Sequence, residues 1–351
     1  MARAKISNFK KFLWSLLAVI FLSGLIMAYV FYSRIYQPNV VMEYEKEVFV
    51  YIPTDASFED VQQILIASGV VQNTSSFRWV AEQKNYIHRI KSGRFLLENG
   101  MNNNELVNLL RSGRQTPVNV VFNNMRTKEQ FAGKVASQLE LDSLDLLYAM
   151  VDTAFTNPLN LDSYSVSSLF IPNTYEFYWD VSVADFLARM IAEHHHFWTE
   201  HRKTKAQKLK LSLDEIITLA SIVEKETIKK DEQPKVARLY LNRLERGIKL
   251  ESDPTVIFSI GDFTIKRVLN NDLKIDSPYN TYKNKGLPPG PICIPSIQAI
   301  DAVLNHEKHD YIFMCAKDDF SGYHNFAKTY VGHLNNARKY RKALNERGIN
   351  R

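Results

Sequence analysis

The chain has 351 residues, 45% of them hydrophobic and 12% aromatic, which is too apolar for a disordered chain and long enough for two or three domains. Its formal net charge of +6 is spread along the chain rather than packed in one tract. Such a charge suits an anionic partner, cell-wall polymer or a lipid surface, and no nucleic acid is expected.

The first predicted element is a run of 21 residues without a charge, 12–32, which as a helix spans about 31 Å, the thickness of a bilayer's hydrocarbon core. A cleaved signal peptide has a shorter apolar region and a small-x-small site, whereas this run leads into Tyr29, Phe31, Tyr32 and Tyr36. An uncleaved anchor with aromatic residues at its outer interface is expected. Arg3, Lys5, Lys10 and Lys11 precede it, while Arg34 is followed by Glu43, Glu45 and Glu47. The positive-inside rule then makes 1–11 a cytoplasmic tail and puts everything beyond about residue 33 outside the membrane.

"VFVYIP" at 48–53 alternates like a strand, and Ser57 to Asp60 form a helix cap before "VQQILIASG", which Gly69 ends. "TSSFRWVAEQ" reads as a second helix and "SGRFLLENG" at 92–100 as a second strand. Strand, helix, helix, strand is the order of LysM modules, which bind peptidoglycan glycans, so 44–116 is expected to be a LysM-like βααβ subdomain. Helices capped by Asn102 with Glu105 and by Thr127 with Gln130 flank the strand "VNVVF" at 118–122. A soft boundary falls near Thr116 and Pro117, giving an α+β chain with a mixed α+β catalytic region over 117–351.

"SSLFIPNTYEFYWD" at 167–180 is dense in aromatics, and core packing fits it better than a sugar-stacking surface. Ser212 to Glu215 form a capping box, and Ile216, Leu219, Ala220 and Val223 follow at helical spacing. At about 100° per residue, Lys225 points away from the apolar centre while Glu224 and Glu226 fall on its two borders. Glu226 lies nearer that centre, so it is the better candidate for a carboxyl partly removed from water, protonated near neutrality as a general acid must be.

Cys293 and Cys315 are the two cysteines; in an oxidising compartment they can pair, and two buried free thiols fit equally well. His194, His195, His196, His306 and His309 lack ligand spacing with a carboxylate, and "HEKHD" at 306–310 misses the H-E-x-x-H motif, so neither metal nor cofactor is expected. Arg338, Lys339, Arg341, Lys342 and Arg347 read as one charged face of a final helix.

Four strings, "LASIVEKET" at 219–227, "LNRLERGIKLESDPTVIF" at 241–258, "SPYNTYKNKGLPPGPI" at 277–292 and "GYHNFAKTYVGH" at 322–333, together resemble the YceG-like family of membrane-anchored endolytic murein transglycosylases. The resemblance runs from about residue 48 to the C-terminal helix. It implies Glu226 as the catalytic glutamate, with Thr227 as the small hydroxyl residue beside it and Glu224 as a supporting charge. It implies cleavage of the MurNAc-GlcNAc bond of peptidoglycan glycan strands to give 1,6-anhydro ends, terminating nascent strands. It also implies a place at the inner membrane beside cell-wall synthases, the penicillin-binding proteins.

One glutamate can serve as acid and then base, so a second carboxylate is not required, as it usually is in a hydrolase. Asp253, expected in an extended or turn conformation before Pro254, is the rival second carboxylate; a turn role and a catalytic role both fit. "SPYNTY" and "GLPPGPI" suit a stiff cleft wall, which makes Tyr279, Asn280, Thr281 and Tyr282 substrate candidates. His324 and Asn325 join them through the resemblance alone. "FIPNTY" departs from an F-P-D-T-Y-like string by having Asn173 in place of the acid.

Overall fold

The computed structural model describes residues 2–42 and 47–347, with side chains from residue 9 onward. Glu43, the first residues of the 44–116 range (Tyr44, Glu45 and Lys46), and the side chains of Arg3 and Lys5 lie outside what is described. The chain divides into two compact units, Met1–Val118 with Glu176–Asp180, and Asn119–Tyr175 with Val181–Arg351. A short later segment, Glu176–Asp180, thus returns to the first unit.

The first unit begins with α1 (Ala2–Tyr36), within which Phe9–Tyr36 is long and apolar enough to cross a membrane. Its apolar side chains are exposed, as a lipid-facing helix requires. Next come β1 (Glu47–Ile52), α2 (Phe58–Ala67), α3 (Thr74–Gln83), β2 (Gly93–Glu98) and α4 (Asn103–Ser112). The expected βααβ order is present, with β1 and β2 antiparallel from Glu47 opposite Glu98 to Ile52 opposite Gly93. Alternate strand residues Val50, Ile52, Phe95 and Leu97 are buried against the helices.

Local sequence sets the helix starts. Ser57 with Asp60 and Asn102 with Glu105 form reciprocal capping boxes, each satisfying two N–H groups that a helix leaves open. Asn39 and Asn103, both buried, bond to each other at 2.6 Å and reach the carbonyls of Asn73 and Arg34, tying the end of α1 to the starts of α3 and α4. The returning segment brings Asp180, which accepts from Ser92 and Gln115, and Trp179, whose ring meets the edge of Tyr51.

The second unit takes in β3 (Val118–Phe122) from its second residue, α5 (Lys128–Ala136), α6 (Ser143–Val151), α7 (Thr153–Thr156), β4 (Asn173–Phe177) as far as Tyr175, α8 (Val183–Phe197), α9 (Glu200–Leu209), α10 (Leu213–Glu226), α11 (Gln233–Glu245), α12 (Asp253–Ile260) and α13 (Ile297–Leu304). It closes with β5 (Phe313–Ala316), β6 (His324–Ala327) and α14 (Tyr330–Glu346). β3 pairs with β4, and β5 with β6. Of the "SSLFIPNTYEFYWD" aromatics, Phe170, Tyr175 and Phe177 are buried as core, while Tyr178 is exposed.

At the centre of this unit stands α10, packed by α11, α12 and α13. Its Ser212–Glu215 capping box forms. The one-sided apolar stripe expected for it does not survive, because Ile217, Thr218, Ser221 and Ile222 are buried along with Ile216, Leu219, Ala220 and Val223. A helix surrounded by other helices hides its polar side too; here the Ser221 hydroxyl donates to the Thr218 carbonyl and accepts the Ile292 N–H. The exposed basic residues Arg338, Lys339, Arg341, Lys342 and Arg347 belong to α14 and the residue after it, as anticipated.

Candidate active site

α10 stops at Glu226 because Thr227 turns to an extended conformation (φ −139°, ψ 133°), leaving the glutamate on the last helical position at the rim of the core. The carboxyl is partly buried, and its Oε1 accepts from Tyr240 Oη at 2.6 Å and Ser252 Oγ at 2.5 Å. Among the described residues no donor reaches Oε2, which is the oxygen left for a ligand. Burial pushes the Glu226 pKa up and the nearby Asp253 charge adds to this, while the Ser252 and Tyr240 bonds and His324 partly oppose it. The net effect is a carboxyl that keeps its proton to higher pH than an exposed glutamate does. The Tyr240 phenol, buried beside it, is pushed far above its ordinary range and serves as a neutral donor.

Both donors are themselves fixed. Ser252 N–H donates to Thr281 Oγ1 at 3.0 Å, Thr255 Oγ1 donates to the Ser252 carbonyl at 2.7 Å, and the two threonine hydroxyls lie 2.8 Å apart. The preceding residue, Glu251, takes a left-handed conformation with φ 52°, a strain of about 1 kcal/mol or more for a residue with a side chain. Arg243 holds that turn from α11, donating to the carbonyls of Lys249 and Leu250 and to the Glu251 carboxylate. A bent segment is thus held where Ser252 meets Glu226.

A cleft of about 350 Å³ opens beside Glu226, with Tyr240, Asp253, Tyr282, His324 and strand β5 on its walls. Asp253 is the first helical residue of α12 rather than part of an extended segment, since Pro254 is well placed in a first turn where no amide proton is needed. Its Oδ1 accepts from Tyr282 Oη at 2.6 Å. His324 enters from β6 and donates or accepts through Nδ1 with Glu232 at 2.8 Å.

The other sequence candidates lie elsewhere. Thr227 is buried and donates to Glu232. Tyr279 is a core residue whose ring lies tilted against Phe258, and Asn280, fully buried, donates to the carbonyls of Leu273 and Ile275. Thr281 acts on the site only through Ser252. Asn325 alternates to the face of β6 opposite His324 and reaches Asp318. Glu224 accepts from the N–H and hydroxyl of Ser296, the cap of α13, where a negative charge also suits the helix dipole.

"GLPPGPI" is a core brace and not a cleft wall. Ile292 donates to Ser221, and a side chain at Gly290 would run into the carbonyl of Tyr164 at 2.1 Å. Lys225, although aimed away from the apolar centre, bonds to Asn124, and burial lowers its pKa. Cys293 is buried and Cys315 lines the cleft, both as free thiols. Both ring nitrogens of His309 are taken by backbone groups, and among the described residues no cluster of His, Cys, Asp and Glu could hold a metal.

Sequence reasoning missed Tyr240, Ser252, Glu232 and Arg243. Ser252 and Arg243 lie inside the quoted 241–258 string, and Tyr240 is one residue before it on an apolar stripe, where it reads as core. Glu232, between a charged run and Pro234, carries no signal of its own.

A family profile described as the YceG-like family matches residues 50–339. The chain belongs to the YceG-like family. The matched span contains α10, Ser252 and His324, so the whole cleft lies inside the YceG-like region. Over 312 residues the chain is 29% identical to a protein of Bacillus subtilis (strain 168) named endolytic murein transglycosylase, covering 84% of this chain and 85% of that one. A protein of the same name from Streptococcus pneumoniae serotype 2 (strain D39 / NCTC 7466) is 27% identical over 302 residues, covering 78% of this chain. The chain spans about half of that relative, 54% of its length. The crystal structure of a yceG-like protein from Listeria monocytogenes superposes with a TM-score of 0.56 at 28% identity, covering 83% of this chain and 98% of that one.

Proposed function

We propose that this chain is an endolytic murein transglycosylase, anchored by α1, that cuts the MurNAc-GlcNAc bond within nascent glycan strands. The observation that carries the reading is the Glu226 carboxyl, held by two buried donors through one oxygen and raised in pKa at the edge of a cleft. Glu226 protonates the glycosidic oxygen as the bond breaks; the C6 hydroxyl of the muramic residue closes a 1,6-anhydro ring, and the carboxylate now present can receive its proton. Names of relatives at 27–29% identity support the same activity.

The basic residues before α1 support a cytoplasmic N-terminus, which puts the cleft outside the cytoplasm, beside synthases such as penicillin-binding proteins, where cleavage would end strand elongation. The βααβ order of the first unit supports a LysM-like glycan-holding role. Digestion of uncrosslinked glycan by the full chain and by Glu226→Gln, followed by mass spectrometry, tests the reading. Anhydro ends from the wild type and none from the variant are expected; undiminished product from the variant overturns the assignment. No cleavage by the wild type with glycan binding intact would instead make it a wall-binding scaffold.

One observation favours a second reading. Asp253 shares the cleft and its charge acts on Glu226, which supplies the second carboxylate that a muramidase uses. Products heavier by one water, lost in Asp253→Asn, would establish it.

A further inference from the structure

Glu226 accounts for protonation of the leaving oxygen, while His324 lines the same cleft with no task assigned to it by geometry alone. Its surroundings are specific. Glu232 Oε2 lies 2.8 Å from His324 Nδ1, and Glu232 Oε1 accepts the His324 backbone N–H at 2.8 Å, so one carboxylate fixes both the ring and the strand that carries it. Thr227 Oγ1 donates to Oε2 as well, at 3.1 Å. Burial pushes Glu232 up, but the bonds from the His324 ring and backbone and from Thr227 oppose it, and the carboxyl is held below its ordinary range. An ionised carboxylate only accepts, so the proton of a neutral ring sits on Nδ1 and Nε2 carries a lone pair. Among the described residues Nε2 has no partner.

We propose that Glu232 and His324 form a proton-accepting pair, in which His324 Nε2 takes the proton of the attacking C6 hydroxyl and Glu232 is the positioning residue that fixes the ring and its tautomer. The inference rests on the transglycosylase reading and reassigns the second half of its proton traffic. The C6 oxygen gives its proton to Nε2 and bonds to C1. The C1 to leaving-oxygen bond breaks, its electron pair stays with that oxygen, and the Glu226 proton neutralises it. Products are an anhydro end, a free hydroxyl, a Glu226 carboxylate and a His324 imidazolium; one proton passed from imidazolium to carboxylate restores both. No oxidant, reductant or water is consumed.

The arrangement parallels the orienting carboxylate of a Ser-His-Asp triad, whose amide replacement leaves the ring in place with its proton on the wrong nitrogen. In the full chain in detergent, with uncrosslinked glycan as substrate, His324→Ala is expected to lower kcat about 100-fold while KM changes less than about threefold. Glu232→Gln should lose a similar amount because its amide donates to Nδ1, and Glu232→Asp should recover part of it. The double variant should be no worse than the worse single, as for groups that act as a unit.

Nitrogen NMR of the histidine rings in the wild-type chain should find His324 protonated at Nδ1, a readout that needs no variant to fold. A wild-type ring protonated at Nε2, or wild-type kcat in His324→Ala, overturns the pair. Anhydro ends that persist at full rate in His324→Ala therefore sink this inference and leave the transglycosylase reading standing. Purely hydrolytic ends from the wild type sink that reading itself, and with it the C6 hydroxyl as proton source.

Discussion

The two units use their polar side chains differently. In the first, Ser57, Asp60, Asn102 and Glu105 satisfy helix ends, and the buried Asn39 and Asn103 satisfy carbonyls at the start of α3 and the end of α1. In the second, Tyr240, Ser252, Thr255 and Thr281 converge around one carboxyl that burial disfavours as an anion. The first arrangement satisfies groups that folding would otherwise leave unpaired, and the second surrounds a carboxyl whose pKa burial raises at the edge of a cleft. Caps also occur in the second unit, at Ser212 and Ser296, so the separation between the units lies in the one carboxyl that burial penalises.

The largest effect that could break this separation is on chemistry. Glu226→Gln should lower glycan cleavage at least about 1000-fold, read from product release, because no neighbouring group replaces the acid. The same variant should melt no lower than wild type at neutral pH. The sign follows from the raised folded-state pKa: the protonated carboxyl is favoured in the fold, that contribution is complete below the unfolded value near 4.5, and it is lost as pH rises through the raised value. A marked fall in melting temperature would show that the carboxylate supports the fold after all.

Ser252→Ala should lower kcat about 10-fold or more and also shift the pH profile. Cleavage by wild type should fall as pH rises through the elevated Glu226 pKa. Removing a hydrogen bond that lowers this pKa should move the alkaline limb to higher pH. A limb that moves down, or stays, would mean that Ser252 does not hold Glu226 in solution.

In the first unit, Asn103→Ala should destabilise by about 1–3 kcal/mol in chemical denaturation, since it strands buried partners at the ends of α1 and α3. Cleavage per folded molecule should stay unchanged. The smallest effect is expected for Glu224→Gln, about 1 kcal/mol of stability from a weakened cap on α13 and an unaltered pH profile. A large loss of cleavage there would move the chemistry two residues toward the N-terminus.

Local physics made much of this legible in advance. Capping boxes at Ser57, Asn102 and Ser212 announced three helices, strand alternation announced β1 and β2, and a run of 21 uncharged residues announced a helix of membrane length. Helical spacing ranked Glu226 above Glu224 because one turn of helix fixes which border each carboxylate occupies. Likeness to a family then supplied a reaction that spacing could not.

Tertiary structure alone decided what surrounds the carboxyl. Ser252 lies 26 residues from Glu226 in sequence, Tyr240 14 residues away, and Glu232 meets His324 across 92 residues. No local rule links such positions, since each contact depends on how α10, α11, the Glu251 turn and β6 pack. The same packing removed Tyr279 and Asn280 from the cleft, because an aromatic and an amide in a proline-rich loop fit a wall or a core equally well until their neighbours are known. The sequence therefore determined which helix ends in a glutamate and which side of that helix it borders; packing determined that the glutamate is buried enough for its pKa to rise and which donors and histidine share its cleft.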